Sequence, residues 1–98
     1  MTTLSYAADL RLDVNRIVAH LVEHEVQQFD ERLAVVFDGL LLLRRHPLIG
    51  RPARDGHREL VIGEGSRGYV ALYRYDALDD AVEVLALRGQ RESGFRDR

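Results

Sequence analysis

The sequence predicts an α+β domain in which helices from the first half of the chain pack on a sheet built largely from the second half. Two observations carry this prediction: apolar residues recur at helical spacing up to position 43, and short apolar runs separated by turns follow position 57. A chain of 98 residues with 46% apolar and 31% charged residues can bury one core, so we expect a single domain over 1–98.

The first half predicts a short edge strand and two helices. Thr2 to Tyr6 alternates apolar and polar residues, as an edge strand does. Asp9 takes an N-cap position before a helical stripe, which consists of Leu10, Val14, Ile17, Val18, Leu21 and Val22. A second helix is expected from near Val26 until just before Pro47, because the residue preceding proline is driven out of helical geometry. Its predicted buried residues are Phe29, Leu33, Val36, Phe37 and Leu40. With almost no loop between them, the two form an antiparallel hairpin.

The second half predicts three strands of an antiparallel meander. They are 58–62, 69–75 and 81–87. Between the first two lies a turn over 64–68, whose glycines we expect to have positive φ. An acidic turn over 76–80 joins the second strand to the third. The third strand is apolar on both faces, which predicts a central place in the sheet, covered by the helices.

Composition excludes several kinds of chemistry. There is no cysteine, hence no disulfide, thiolate metal site or cysteine nucleophile. All 14 basic residues are arginine, so no lysine can act as a general base or form a Schiff base. His20 and His24 lack the H-E-x-x-H spacing, and we expect neither a metal nor a cofactor. A membrane span needs about 20 apolar residues in a row. Neither such a run nor a signal-peptide pattern is present, which predicts a cytoplasmic protein without a membrane partner.

Charge is segregated along the sequence although the net charge is only −2. The segment from 44 to 58 has five arginines and one acidic residue, and the tail from 88 to 98 has four arginines and two acidic residues. The helical segment up to Asp38 has instead seven acidic residues and three arginines. The pattern predicts a basic region whose local field attracts an acidic or nucleic-acid partner.

Five short segments occur in a characteristic order. They are D-V-N-R-I at 13–17, P-x-x-G-R at 47–51, R-E-L at 58–60, G-Y-V-x-L-Y-R at 68–74 and V-x-V-L-x-L-R-x-Q-R-E at 82–92. No single segment is specific, but together they span nearly the whole chain. In this order the chain resembles the RelE/ParE superfamily of toxins from type II toxin–antitoxin systems, which are also known as plasmid-stabilisation proteins.

The resemblance implies a four-stranded, mostly antiparallel sheet with two N-terminal helices packed on it. It also implies one of two activities: ribosome-dependent mRNA cleavage in RelE-like members, or binding to DNA gyrase in ParE-like members, either of which arrests growth. For a RelE-like member, the resemblance implies a site in which Lys, Arg and a C-terminal Tyr move protons and stabilise charge on the phosphate. Here lysine is absent, and Phe95 occupies the tail position of the tyrosine.

These departures favour a ParE-like toxin that acts by binding, and no catalytic residue is assigned. One alternative is a RelE-like ribonuclease that uses Arg58, Arg88 and Arg91, although arginine is too basic to act as a general base at neutral pH. Another is an inactive homologue that only binds its antitoxin. For a binding toxin, the predicted contacts with the target are made by Arg51, Arg58, Arg74, Arg88, Arg91 and Phe95.

The resemblance also implies a cognate antitoxin that wraps the toxin in a hetero-oligomeric complex. The apolar surplus of the second helix predicts where an amphipathic, acidic segment of that partner binds. The predicted antitoxin contacts are Val35, Leu41, Leu42 and Tyr73. Coupled folding of such a segment buries on the order of 1,000 Å² or more.

Overall fold

The computed structural model describes residues 1–24, 29–92, 94 and 95. Its helices and strands are β1 (Thr3–Tyr6), α1 (Leu10–Glu23), α2 (Phe29–Leu41), β2 (Arg51–Pro52), β3 (Arg58–Ile62), β4 (Tyr69–Asp76) and β5 (Ala81–Gly89). Short 3-10 turns cover Leu42–Arg44, Arg54–Gly56 and Gly65–Arg67. The predicted α+β class is confirmed.

The strands form one five-stranded sheet in the order β1-β5-β4-β3-β2. β1 runs parallel to β5, and the other neighbours are antiparallel. The expected count of four strands is one too low, because Arg51 and Pro52 pair with Glu59 and Arg58 as a two-residue strand. The predicted edge position of the first strand is confirmed. The last strand, β5, is internal but lies next to the edge, and the central place predicted for it is taken by β4.

The core lies between the two helices and one face of the sheet, called here the helix face. Its buried apolar residues are Leu10, Ile17 and Leu21 of α1, Val36 and Leu40 of α2, Leu43 after α2, and Leu60, Ile62, Tyr69, Ala71, Tyr73, Val82, Val84 and Leu87 of the sheet. Val22, which the sequence placed on the apolar stripe of this helix, lies outside the core and is 56% exposed. Val22 lies about 100° around the helix from Leu21, which contacts the core.

The opposite face, called here the open face, is covered by neither of the two described helices. Residues directly opposite each other in antiparallel strands lie on the same face of the sheet. The register with β4 therefore assigns each side chain to the helix face or to the open face. The open face comprises Arg51, Glu59, Val61, Val70, Leu72, Arg74, Glu83, Ala86 and Arg88. Leu85 is an extra residue on β5, since Leu72 pairs with Ala86 and Tyr73 with Val84. This β-bulge lets both Val84 and Leu87 point into the core.

Two side chains of α1 complete the edge of β5 beyond the end of β1. The pairing of β1 stops where Tyr6 lies opposite Val84. Farther along β5, the Leu87 N–H donates to Asp13 Oδ2 at 2.9 Å, and the Leu87 carbonyl accepts from Arg16 Nη2 at 3.1 Å. Asp13 is only 2% exposed. The helix thus replaces the missing strand and fixes α1 on the sheet.

The helix ends differ in detail from the sequence prediction. Asp9 does precede α1, but its side chain makes no capping hydrogen bond. The predicted start of the second helix near Val26 lies outside the described residues. α2 ends at Leu41, and the 3-10 turn Leu42–Arg44 continues it toward Pro47. No helix in the described part of the chain has the length and apolarity to cross a membrane.

The turn between β3 and β4 confirms one of the two predicted glycine conformations. Gly65 has a φ of 58°, which a residue with a side chain rarely adopts. Gly68 has a φ of −76°, so the prediction of a positive φ is wrong there. Glycine is favoured at this position for steric reasons, because a Cβ would lie 3.1 Å from both Ile62 O and Gln90 Cγ.

Asp80 ties the start of β1 to the hairpin between β4 and β5. Its Oδ1 accepts hydrogen bonds from Thr2 Oγ1 at 2.7 Å and from the Tyr75 hydroxyl at 2.8 Å. These two bonds hold the pKa of the Asp80 carboxyl below its ordinary value of 3.8. A carboxylate with a lowered folded pKa stabilises the fold above its unfolded pKa, and this contribution is lost as pH falls through the folded pKa.

We therefore expect Asp80→Asn to flatten the acid dependence of stability. Asparagine tolerates the φ of 49° at this position, so the substitution should leave the turn intact. Melting temperature followed by circular dichroism should fall less steeply between about pH 5 and pH 3 in the variant than in the wild type. Parallel pH curves for the two proteins would contradict the assignment.

Candidate functional site

The P-x-x-G-R loop is fixed by a buried tyrosine rather than free in solvent. The Gly50 N–H donates to the Tyr73 hydroxyl at 2.9 Å, and that hydroxyl donates to Pro47 O at 2.8 Å. Tyr73 is fully buried, and burial raises the pKa of its hydroxyl. The predicted contact of Tyr73 with an antitoxin is therefore wrong, since its side chain has no exposed surface. It holds the loop against the sheet.

Arg58 holds the same loop from its other side. One terminal nitrogen, Nη1, donates to Gly50 O at 2.7 Å and to Leu48 O at 3.3 Å. The residue lies opposite Tyr73 in the register, which places it at the helix face. The structure therefore gives Arg58 a local structural contact, while its predicted role toward a target stays a prediction.

On the open face, two of the predicted arginines are paired with glutamates. Arg51 Nε lies 3.1 Å from Glu59 Oε1, and Arg74 Nη2 lies 2.9 Å from Glu83 Oε1. Both pairs join neighbouring strands and are substantially exposed. Two of the three arginines on this face are thus neutralised within the sheet. Exposed pairs of this kind add little to stability.

Arg88 is the third open-face arginine and lies against the tail. Its guanidinium carbon is 5.0 Å from the centroid of the Phe95 ring, within cation–π range. Its Nη1 donates to Gly89 O at 3.2 Å and to Glu92 O at 3.1 Å. Its Nε is buried and finds no acceptor among the described residues. Arg88 and Phe95, both predicted to contact the target, are therefore neighbours.

The three arginines of the nuclease alternative do not meet at one place. Arg58 and Arg88 lie opposite Tyr73 and Val70 of β4, on different faces of the sheet. Those two positions are three residues, or about 10 Å, apart along the strand. Arg91 lines a pocket on the helix side of the sheet. A single phosphate could not contact all three in this arrangement.

That pocket, called here the cationic pocket, was missed by the sequence analysis. It occupies about 660 Å³ between α1, the start of α2, the turn before β4 and the tail. Its lining includes four arginines, one histidine and one glutamate over an apolar floor: Arg16, His20, Arg32, Arg67, Arg91 and Glu92, with Ile17, Leu21 and Tyr69. In the sequence, the only local pattern that indicated this pocket was the i, i+4 spacing of Arg16 and His20, which places both on one side of a helix.

The predicted apolar antitoxin contacts are on the surface. Val35, Leu41 and Leu42 are each about half exposed. Leu48 and Ile49, in the loop after α2, are exposed to a similar extent. These five residues are called here the α2 patch. Exposed apolar patches on small proteins commonly mark interaction sites.

The sequence itself matches a known family. Residues 4–94 match the family model of the ParE toxin of type II toxin–antitoxin (parDE) systems. The chain belongs to the ParE toxin family. The resemblance inferred from the five ordered segments is confirmed by this match.

The fold of this ParE-family toxin is shared with a solved structure. It is similar to a chain in the crystal structure of the RelBE2 toxin–antitoxin complex from Mycobacterium tuberculosis, with a TM-score of 0.63 and 24% sequence identity. The alignment covers 91% of the toxin and 98% of that chain. No curated protein matches the toxin in sequence at a significant level. The likeness to the solved structure supports the fold.

Proposed function

We propose that the toxin arrests growth by binding DNA gyrase, without cleaving RNA, and that a cognate antitoxin neutralises it in a hetero-oligomeric complex. The observation that carries the proposal is the separation of Arg58, Arg88 and Arg91 over two faces of the sheet and the tail. Metal-free RNA cleavage needs a base, an acid and cations around one phosphate. The absence of lysine from the sequence points the same way.

The open face and the tail are the proposed surface for the target. Arg88 and Phe95 form its centre, and the exposed Val61 adds apolar area on the same face, two strands away from Arg88. Arg51 and Arg74 lie toward its edges, where their glutamate partners can be exchanged for carboxylates of a target. An arginine and an aromatic ring in contact are the residue types that carry most of the binding energy in protein interfaces.

The α2 patch is the proposed surface for the antitoxin. Two exposed arginines, Arg44 and Arg45, follow α2 directly and lie next to the patch in sequence. An amphipathic segment with apolar side chains toward the patch and acidic ones toward these arginines would match both features. The ParE family, as part of toxin–antitoxin systems, supports such a partner.

The test is inhibition of purified gyrase by the purified toxin. We expect the toxin to inhibit supercoiling, and Arg88→Gln to weaken inhibition about tenfold, the effect of losing one central interface contact. Arg54→Gln is the matched control, because Arg54 is exposed on the turn Arg54–Gly56 and belongs to neither proposed surface. It should inhibit as the wild type does, and both variants should melt as cooperatively as the wild type.

Two other outcomes would replace the proposal. Cleavage of mRNA in a translation reaction, with gyrase unaffected, would establish the ribonuclease alternative. A toxin that binds its antitoxin but affects neither gyrase nor translation would be the inactive homologue. Comparison of the three readouts on one preparation separates these cases.

A further inference from the structure

The cationic pocket concentrates positive charge that the described residues neutralise only at Arg16. Arg16 is engaged, with its Nη1 2.7 Å from Glu92 Oε1. Arg32, Arg67 and Arg91 form no ion pair with any other described residue. Four arginines and one glutamate give the pocket a formal charge of +3, in a protein whose net charge is −2.

Short hydrogen bonds fix the walls that carry these arginines. The Gln90 N–H donates to Gly68 O at 2.9 Å, so the residues next to each, Arg91 and Arg67, are held close together. Glu92 Oε2 accepts from the Gly89 N–H at 2.6 Å while its other oxygen binds Arg16. The turn and the tail that carry Arg67 and Arg91 are therefore held in place before any ligand enters, which lowers the entropic cost of binding there.

The size and floor of the pocket restrict the ligand further. Its volume of about 660 Å³ lies in the range of roughly 300–1,000 Å³ typical of sites for small molecules. Ile17 and Leu21 of α1 and Tyr69 of β4 give it an apolar floor. A ligand that fits has an anionic part for the guanidinium groups and an organic part for the floor.

The charge distinguishes phosphate from carboxylate. One carboxylate carries a single negative charge, whereas a phosphate monoester carries about −1.5 to −2 at neutral pH and offers three strong acceptor oxygens. The three guanidinium groups that form no ion pair with a described residue match several such oxygens by paired N–H···O bonds. We infer that the cationic pocket binds a nucleotide through its terminal phosphates, at a site on the opposite side of the sheet from the open face.

The inference is tested by titrating the full chain with ADP, without divalent cations and at low salt, by calorimetry. We expect saturable binding, and competition by inorganic pyrophosphate. Arg67→Glu and Arg32→Glu should each weaken binding by about tenfold or more, because each replaces an attraction to phosphate with a repulsion. Arg54→Glu makes the same change in net charge outside the pocket, and we expect it to alter the affinity less than about twofold.

A second pair of titrations separates the sources of the phosphate. The two ligands are single-stranded tetrathymidylate with and without a 5′-phosphate. If the site accepts the end of a nucleic-acid strand, the phosphorylated form should bind more tightly. If the site accepts free nucleotides only, the two forms should bind equally weakly. Either result is compatible with the inference when ADP binds. No saturation at about 1 mM ADP, or equal losses in Arg54→Glu and Arg67→Glu, would overturn it. A glutamate-rich peptide that binds where ADP does not would make the pocket a site for an acidic partner instead.

Discussion

Gly50→Ala should destabilise the toxin by about 3 kcal/mol, the largest effect expected of any single methyl group in the chain. A Cβ at this position would lie 2.7 Å from Glu59 O and 2.7 Å from both Cε1 and the hydroxyl oxygen of Tyr73. The first of these atoms belongs to the backbone of β3, and the other two to a ring fixed in the core. Movement of the Tyr73 ring would break the loop's hydrogen bonds, and Glu59 belongs to a strand that is paired on both sides.

The measurement is thermal or urea unfolding of the variant beside two alanine controls. For a domain of this size, about 3 kcal/mol corresponds to a fall of roughly 12–20 °C in melting temperature. Gly94→Ala has nothing within 4 Å of the added carbon and should leave stability unchanged. Gly39→Ala meets the Ile62 side chain and no backbone atom, and alanine favours the helix by about 1 kcal/mol over glycine, so it should cost less than Gly50→Ala. A Gly50→Ala variant as stable as Gly94→Ala would contradict the packing described here.

Asp13→Ala should have the second largest effect, also near 3 kcal/mol. The substitution removes the acceptor of the Leu87 N–H on the edge of β5, where no strand replaces it. It also removes one partner of Arg16, at 3.4 Å. A buried donor without an acceptor bears its full desolvation cost, so the loss exceeds the value of one ordinary hydrogen bond.

Asp13→Asn separates the hydrogen bond from the charge. An amide oxygen can still accept from Leu87, so we expect a smaller loss of about 1–2 kcal/mol. The control is Asp38→Ala, which removes an exposed carboxylate from the other helix and should change stability by less than about 0.5 kcal/mol. Amide hydrogen exchange adds a local readout, since the Leu87 amide should exchange much faster in Asp13→Ala than in Asp13→Asn.

Local patterns in the sequence were enough to predict most of the elements. The helical spacing of Leu10, Ile17 and Leu21 predicted α1, and the apolar runs between glycine-containing turns predicted β3, β4 and β5. A strand of two residues such as β2 has no period to detect, because its pairing depends on Arg58 and Glu59 arriving beside it.

Predictions about surfaces were less successful, because both faces of a central strand carry apolar residues. Alternation along β4 groups Tyr69, Ala71 and Tyr73 on one side, but it does not say which side the helices cover. Tyr73 was therefore placed on the surface and is buried. The cationic pocket joins Arg32 to Arg91, which are 59 positions apart in the chain. They come together because α1 packs both on β5 and on α2.

The parallel pairing of β1 with β5 has a consequence for how the toxin folds. Thr3 pairs with Ala81, and Thr2 binds Asp80 across 78 positions of sequence. Contacts this distant in sequence close late and slow the folding reaction. On the ribosome, the first strand must wait unpaired until the last has been synthesised. The sheet is completed only after most of the chain has emerged, which leaves a nascent toxin without its finished core while translation continues.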